Sequence, residues 1–424
     1  MARGANKASV WFRTYFWESL GPGLISGAAD DDPSGIATYS VAGAQLGTGL
    51  LWTALITWPL MAGVQMMCAR IGMVSGRGLT AAFQTKFNRW IVLLAITALL
   101  IANTINVGAD LAGMADAAEM LTHVSSHLWV IIFAIAISWA TVRLRYWQIA
   151  RTLKWLALVL FAYVISAFVI HPDWADALRH TFIPSVPQGK EGWQTLVAIL
   201  GTTISPYLFF WQATQEVEEE KASGRNTIAK RKGATDEEIR LRKYDVGIGT
   251  FFSNIVMYFI ILTTAFTLNR HGITNIETSK DAAAALLPLA GRFATLLYTA
   301  GIIGVGLLAI PTLTASAAYA FADAFAWRQG LDKKLRQARA FYVMVLASTA
   351  AAVVMDFSRI SPVKFLYWTA VINGVLAPFL LVGILIIASD DRLMCGQSSS
   401  ILGRVVVGVA TITMFIAAVA MFVV

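Results

Sequence analysis

Gly21–Gln45 reads GPGLISGAADDDPSGIATYSVAGAQ: three consecutive carboxylates, Asp30, Asp31 and Asp32, run straight into a proline inside an otherwise apolar stretch. They do not read as the solvated end of a helix, because the chain stays weakly apolar up to Leu55 and only Gly47, Thr48 and Gly49 offer a turn. The acids therefore read as part of a membrane span. Pro33 removes one backbone donor and Gly35 adds conformational freedom, so the helix is expected to open here and leave bare carbonyls beside the acids. An acid at membrane depth costs about 2.5 to 3.5 kcal/mol on insertion scales, so three in a row call for a reason. An intramembrane cation site supplies one. A water-filled vestibule with no bound ion is the plainer alternative.

Outward from this stretch, the composition fits the same class. The chain has 424 residues, 57% hydrophobic and 14% charged, with apolar runs such as Ile91–Ala102 and Phe259–Phe266. This is the signature of an all-α polytopic membrane protein embedded in the lipid bilayer. The net charge of +8 does not point to nucleic acid, since Lys and Arg concentrate in short connectors, where the positive-inside bias accounts for them. The N-terminal aromatics Trp11, Phe12, Tyr15, Phe16 and Trp17 are not followed by a small-residue cleavage site, so no removable signal peptide is expected. Cys68 and Cys395 form no paired motif, which leaves a disulfide framework or a zinc site without support.

About eleven transmembrane helices are expected, near residues 20–46, 49–70, 91–119, 128–145, 150–170, 193–220, 244–268, 292–326, 338–355, 362–388 and 402–424. With the N-terminus inside, the outer connectors keep only Arg179, Lys190, Arg270, Lys280, Arg292, Arg359 and Lys364 of the 33 basic residues. The bias thus places the N-terminus in the cytoplasm and, with an odd number of spans, the C-terminus outside. A second break is expected in Gly201–Gln212, GTTISPYLFFWQ, where Pro206 interrupts the sixth span. Breaks in spans one and six are the placement of a five-plus-five inverted repeat. The reading is one transporter domain over 1–424, with repeat one about 20–170, repeat two about 193–388 and an extra helix about 402–424. Near the midplane the carbonyls of Ala29 and Thr202, the Asp32 carboxylate and the Ser205 hydroxyl are expected to converge on one cation.

These two stretches resemble those of the Nramp family of divalent metal transporters, and the resemblance extends over roughly the whole chain in number and order of spans. The family has an Asp-Pro-Gly-Asn motif in its first helix and a Met-Pro-His motif in its sixth. Here Asp32 and Pro33 keep the aspartate and proline, while Ser34 and Gly35 stand where the family has glycine and asparagine. Ser205 stands in place of the metal-binding methionine, Pro206 keeps the proline, Tyr207 replaces histidine, and Gln212 falls where a second histidine would be. In the third span ADLAG, Ala109–Gly113, keeps an aspartate at Asp110, but Gly113 has lost the family's following glutamate. The resemblance implies a bacterial cytoplasmic-membrane transporter. It also implies metal-site residues at Asp32, Ala29, Thr202, Ser205, Asp31, Gly35 and Tyr207, and a proton or water route through Asp110, Asn106 and Gln212.

The departures have a chemical direction. A thioether favours softer transition metals, whereas hydroxyls and carboxylates favour hard ions such as Mg²⁺, Mn²⁺ or Ca²⁺. Replacing the asparagine by Gly35 removes a ligand and is expected to enlarge the space, which suits an ion that keeps several waters. In this the chain is similar to the magnesium-transporting offshoot of the family. With three family positions of the proton route changed, weak or absent proton coupling is expected.

Other polar residues carry two readings each. Asn103, Asn106, Asp110 and Gly113 share one face of span three, as a water route or as a seam gluing helices. Thr312, Thr314 and Ser316 read as helix contacts, and Asn373 as packing beside the site. Glu216, Glu218, Glu219 and Glu220 read as a solvated helix end or an acidic mouth, and Ala222–Arg242 as a polar, mobile loop. The expected function is a secondary transporter or facilitator of a divalent cation, requiring no cofactor. A carrier of amino acids or organic cations, or a transporter-like sensor, are the alternatives. No nucleophile paired with a base is visible, so an enzyme is not expected. The sequence leaves oligomeric state open.

Overall fold

The computed structural model describes residues 26–27, 29–144, 158–356 and 361–424, and every regular element among them is helical. The longer helices among the described residues are α1 (Pro33–Leu46), α2 (Leu51–Ser75), α3 (Arg89–Thr122), α4 (Ser126–Arg143), α5 (Phe161–Ile170), α6 (Gly189–Thr203), α7 (Pro206–Ala222), α8 (Asp236–Thr267), α9 (Ala294–Ala324), α10 (Arg339–Met355), α11 (Pro362–Ala388) and α12 (Ile401–Val423). They fall on the expected spans in order, with the sixth divided into α6 and α7. Among the described residues eight stretches are long and apolar enough to cross a membrane, the first of them, Pro33–Ser75, running through α1 and α2. The fifth and ninth expected spans hold the shorter apolar helices α5 and α10. The N-terminal aromatics, the basic residues Arg3, Lys7, Arg13, Arg145, Arg151, Lys154 and Arg359, and the start of the fifth span lie outside the described residues.

Both breaks have the same local cause. Proline fixes φ and carries no N–H, so it sits well in a first helical turn and badly further in. Pro33 opens α1 behind Asp32, whose extended backbone (φ −71°, ψ 171°) caps the helix. Pro206 opens α7 behind Ser205, also extended (φ −79°, ψ 131°). Gly47 provides the expected turn after α1, with φ at +58°, where a residue with a Cβ would be strained.

The broken sixth span lies at the centre of the bundle, with every residue from Thr195 to Val217 buried, whereas only a third of the most apolar stretch of α12 is buried. Residues such as Leu94, Ile135, Phe379, Ile412 and Phe422 point outward from the bundle. Apolar groups exposed on this scale match a lipid environment. Inside, α6 packs closely on α11 at two glycines: a Cβ at Gly201 would stand 2.1 Å from the Ala370 carbonyl oxygen, and one at Gly374 2.3 Å from that of Val197. α7 packs instead on α2 and α9, and α1 on α8 and α11.

The connector after α7 differs from expectation. It is fastened: Arg231 is buried and donates to the carbonyls of Gly76 and Arg225, Gly233 N donates to Val74 O, and Thr235 with Glu238 caps α8 reciprocally. The acids at the end of α7 are likewise neither a solvated helix end nor an open mouth. Glu216 and Glu220 are buried, Arg242 pairs with Glu216, Glu219 and Asp245, and Lys221 pairs with Glu218. Charges drawn into a partly dry interior need such partners. Nearby, Lys86 lies 2.6 Å from Asp390, and this hydrogen-bonded ammonium holds the Asp390 carboxyl below its usual range.

Candidate cation site at the two helix breaks

Asp32 is held from two sides. Its Oδ1 accepts a hydrogen bond from Gly35 N at 2.7 Å, the helix-capping contact, and its Oδ2 accepts from Asn106 Nδ2 at 3.0 Å. The second contact brings α3 to the break, so Asn106 belongs to the site. Asn103, one turn earlier, donates instead to Leu313 O and Ser316 Oγ of α9, a helix-joining role. Asp110 is wholly buried, and neither of its oxygens has a hydrogen bond of ordinary geometry, although the Ser34 amide reaches toward it. Gly113 faces Leu366 in a packing contact.

The other two acids turn away from Asp32. Asp30 Oδ2 and Asp31 Oδ1 share one donor, the hydroxyl of Ser253 on α8, at 2.7 and 3.1 Å. One hydroxyl carries one hydrogen, so it satisfies the two carboxylates only in part, and Asp30 Oδ1 has no partner at all. Sequence reasoning missed Ser253. Its signal was a Ser-Asn pair, Ser253–Asn254, inside the aromatic and aliphatic face of span seven. Among the described residues no three His, Cys, Asp or Glu side chains form a ready-made metal-binding set, and no ion pair reaches Asp30, Asp31, Asp32 or Asp110.

The second break approaches the first. A Cβ at Gly35 would lie 3.1 Å from Thr202 Oγ1, 3.4 Å from the Tyr39 ring and 3.5 Å from the Asp30 carbonyl oxygen. Thr202 is therefore beside the acids, and the room expected from losing an asparagine at Gly35 is taken up by Thr202 and Tyr39. Ser205 Oγ donates back to the carbonyls of Thr202 (2.5 Å) and Gly201 (2.9 Å). Ala29 O accepts from the Tyr207 hydroxyl at 2.7 Å. Each carbonyl keeps a second lone pair, so both are still able to ligate. In the opposite sense, the Tyr39 hydroxyl from α1 lies 3.2 Å from Thr203 Oγ1 at the end of α6. A tyrosine from each half thus reaches the broken end of the other. Gln212, two turns into α7, touches neither Asp32 nor Asp110; it bonds to Ser26 and Glu216.

The family model described as Nramp, natural resistance-associated macrophage protein-like, matches residues 23–424. A divalent metal cation transporter, MntH, of Caldanaerobacter subterraneus subsp. tengcongensis is 27% identical over 386 residues, 89% of this chain and 86% of the relative. MntH of Yersinia pestis is 25% identical over 68% of each chain. Among solved structures, the Eremococcus coleocola manganese transporter bound to an aromatic bis-isothiourea compound superposes with a TM-score of 0.75 at 17% identity, covering 96% of this chain and 88% of that one. Mhp1, a nucleobase-cation-symport-1 family transporter in a closed conformation, gives 0.58 at 15% identity, covering 96% and 91%. The chain belongs to the Nramp family.

Proposed function

We propose that this protein is a secondary transporter or facilitator of divalent metal cations, with hard ions such as Mg²⁺ or Mn²⁺ as substrate, working by alternating access across about eleven spans arranged as a five-plus-five inverted repeat plus one helix. The observation that carries the reading is the charge at the breaks. Asp32, Asp31 and Asp30 are buried in the bundle with no cationic partner among the described residues, and a buried carboxylate needs compensating charge. A divalent substrate would supply it. Asp32 would be the leading ligand, with Asp31, the Ala29 and Thr202 carbonyls and the Ser205 hydroxyl around it, and Tyr207 and Gly35 shaping the wall. So few convergent acids favour an ion that completes its shell with carbonyls and water, the habit of Mg²⁺ and Mn²⁺ rather than of soft metals.

The MntH relatives, named as divalent metal cation transporters, support the substrate class. Tyr207 and Gln212 bond to neighbouring elements where a proton relay would have histidines, which favours weak or absent coupling. The positive-inside bias supports a cytoplasmic N-terminus. Flux into proteoliposomes tests the reading: divalent-cation uptake that saturates and fails in Asp32→Ala is expected. Uptake of an amino acid or organic cation instead, or binding without flux, would replace it with a carrier or a sensor.

A further inference from the structure

We infer that the connector between α9 and α10, residues 325–338, forms with Lys221 of α7 a binding site for the phosphate-bearing headgroup of an anionic phospholipid. The site lies apart from the helix breaks and uses none of the proposed cation ligands.

A cavity of about 490 Å³ at this end of the bundle is lined by Lys221, Trp327, Arg328, Gln329, Lys333 and Gln337. Its size is that of a small-molecule site, and no carboxylate is among the lining residues. Lys221 lies 2.7 Å from Glu218, but an ammonium has three donors and keeps two for a ligand. Arg328 and Lys333 are exposed, and neither pairs with an acid among the described residues. Three cationic side chains repel a metal ion and attract an anion. The two amides add direction. Gln337 Oε1 accepts from Lys334 N at 3.2 Å, which leaves its donor end available. Gln329 Nε2 donates to Asp323 Oδ1 at 2.7 Å, and its Oε1 is buried without a partner. The lining thus offers a phosphate several donors, and offers one lone acceptor to a hydroxyl on the same ligand. A glycerol-bearing phospholipid headgroup has both groups.

The cavity wall is held in place before any ligand arrives. Leu331 N donates to the Tyr319 hydroxyl of α9 at 3.0 Å, and the Tyr342 hydroxyl of α10 donates to Lys333 O at 2.8 Å. Both tyrosines are buried, so the connector is pinned at its middle by the helices on either side.

The surroundings favour a lipid over a soluble phosphate. α9 is long and apolar enough to cross a membrane, and the connector starts directly after its last residue, Ala324. Phe321, Phe325 and Trp327 stack in series, with ring centroids 6.1 and 5.4 Å apart, from α9 to the cavity lining. Phe325 and Leu335 are exposed. Aromatic residues gather at the level of lipid headgroups, and this stack gives an acyl chain an apolar surface beside the basic cavity. The connector carries Arg328, Lys333, Lys334 and Arg336 against the single acid Asp332, the charge pattern of a span end that meets anionic lipid.

The test uses the full chain, stripped of lipid in detergent and titrated with phosphatidylglycerol or phosphatidylcholine, with bound lipids counted by native mass spectrometry. One phosphatidylglycerol is expected to bind ahead of the rest, and ahead of any phosphatidylcholine. Arg328→Gln with Lys333→Gln should weaken that first site about 25-fold, at about fivefold for each basic residue. Lys334→Gln with Arg336→Gln removes the same charge from the same connector without touching the lining, and should weaken it no more than about twofold, the effect of screened charge at a distance. All four residues are exposed, so melting temperatures should match the parent's. Equal losses in the two double variants, or no preference for phosphatidylglycerol, overturn the site. Displacement of the first phosphatidylglycerol by excess inorganic phosphate overturns the lipid as its ligand. The titration involves no cation, so a parent without metal flux would sink the transport reading and leave this result standing.

Discussion

Asp32 combines two jobs that substitutions can separate. Asp32→Asn keeps a carbonyl oxygen for Gly35 N, which Asp32 Oδ1 now caps at 2.7 Å. Its new amide group would face Asn106 Nδ2, donor against donor, but Asn106 Oδ1 has no partner, so a half-turn of the Asn106 amide restores a bond. The fold should lose less than about 1 kcal/mol. Asp32→Ala loses the cap, about 1 kcal/mol, and leaves Asn106 Nδ2 unpaired in the interior, about 1 to 3 kcal/mol more. The two variants should thus differ in melting temperature, with Asn above Ala, yet share one functional loss. Both remove the carboxylate that would bind the cation, and since loss of an outer-shell partner already costs about 10- to 100-fold in metal affinity, loss of this ligand should cost more than about 100-fold. Calorimetric titration with Mn²⁺ and Mg²⁺, run beside thermal melts of the same samples, measures both effects. If Asp32→Asn binds as tightly as the parent, Asp32 is not the ligand; if the two variants melt together, the capping argument is wrong.

Ser205→Met should raise uptake of Mn²⁺ or Cd²⁺ relative to Mg²⁺, since a thioether replaces a hydroxyl that now bonds to the Thr202 carbonyl; an unchanged ratio of uptake rates would show that position 205 does not face the ion. A pH-sensitive dye inside proteoliposomes should register little cation-driven acidification, and robust acidification that disappears in Asp110→Asn would establish coupling through the acid of α3. Saturating Mn²⁺ or Mg²⁺ should raise the melting temperature, by an amount equivalent to about 2.7 kcal/mol at a hundred times Kd, and Asp32→Asn should abolish the increase. Gly201→Ala should destabilise by about 1 to 3 kcal/mol or more, because its methyl meets backbone atoms of α11 on both sides; a melt like the parent's would mean that α6 and α11 are not in direct contact.

The two breaks were legible because the residue before a proline is biased toward extended backbone and, at Pro33 and Pro206, that residue is a polar Asp or Ser in the middle of a span; proline alone would not have sufficed, since Pro59, Pro311 and Pro378 lie inside continuous helices. The spans were legible for a similar reason, as apolar length is a local property. What the sequence hid depends on direction. Three adjacent aspartates suggest one cluster, yet at the end of a helical turn their side chains diverge, two to Ser253 and one to Gly35 N and Asn106. Glu216 to Glu220 suggested a wet terminus because nothing local announces Arg242, which lies more than twenty residues away and is brought in by α8. Gln212 carried the residue-type change but not its consequence, since its partner Ser26 belongs to another span.

The glycine seam between α6 and α11 bears on the mechanics of the molecule. Where two helices approach backbone to backbone, as at Gly201 and Gly374, there is little room for one to roll or slide past the other. The first half of span six and span ten would then be expected to move as a single plank. The second half, α7, is fastened mainly to other timbers, α2 and α9, and residues 204 and 205 join it to the first. If the acids are exposed first to one face of the membrane and then to the other, as proposed, a bend between the two halves would fall at residues 204 and 205, and the break in span six would act as a hinge as well as a source of ligands.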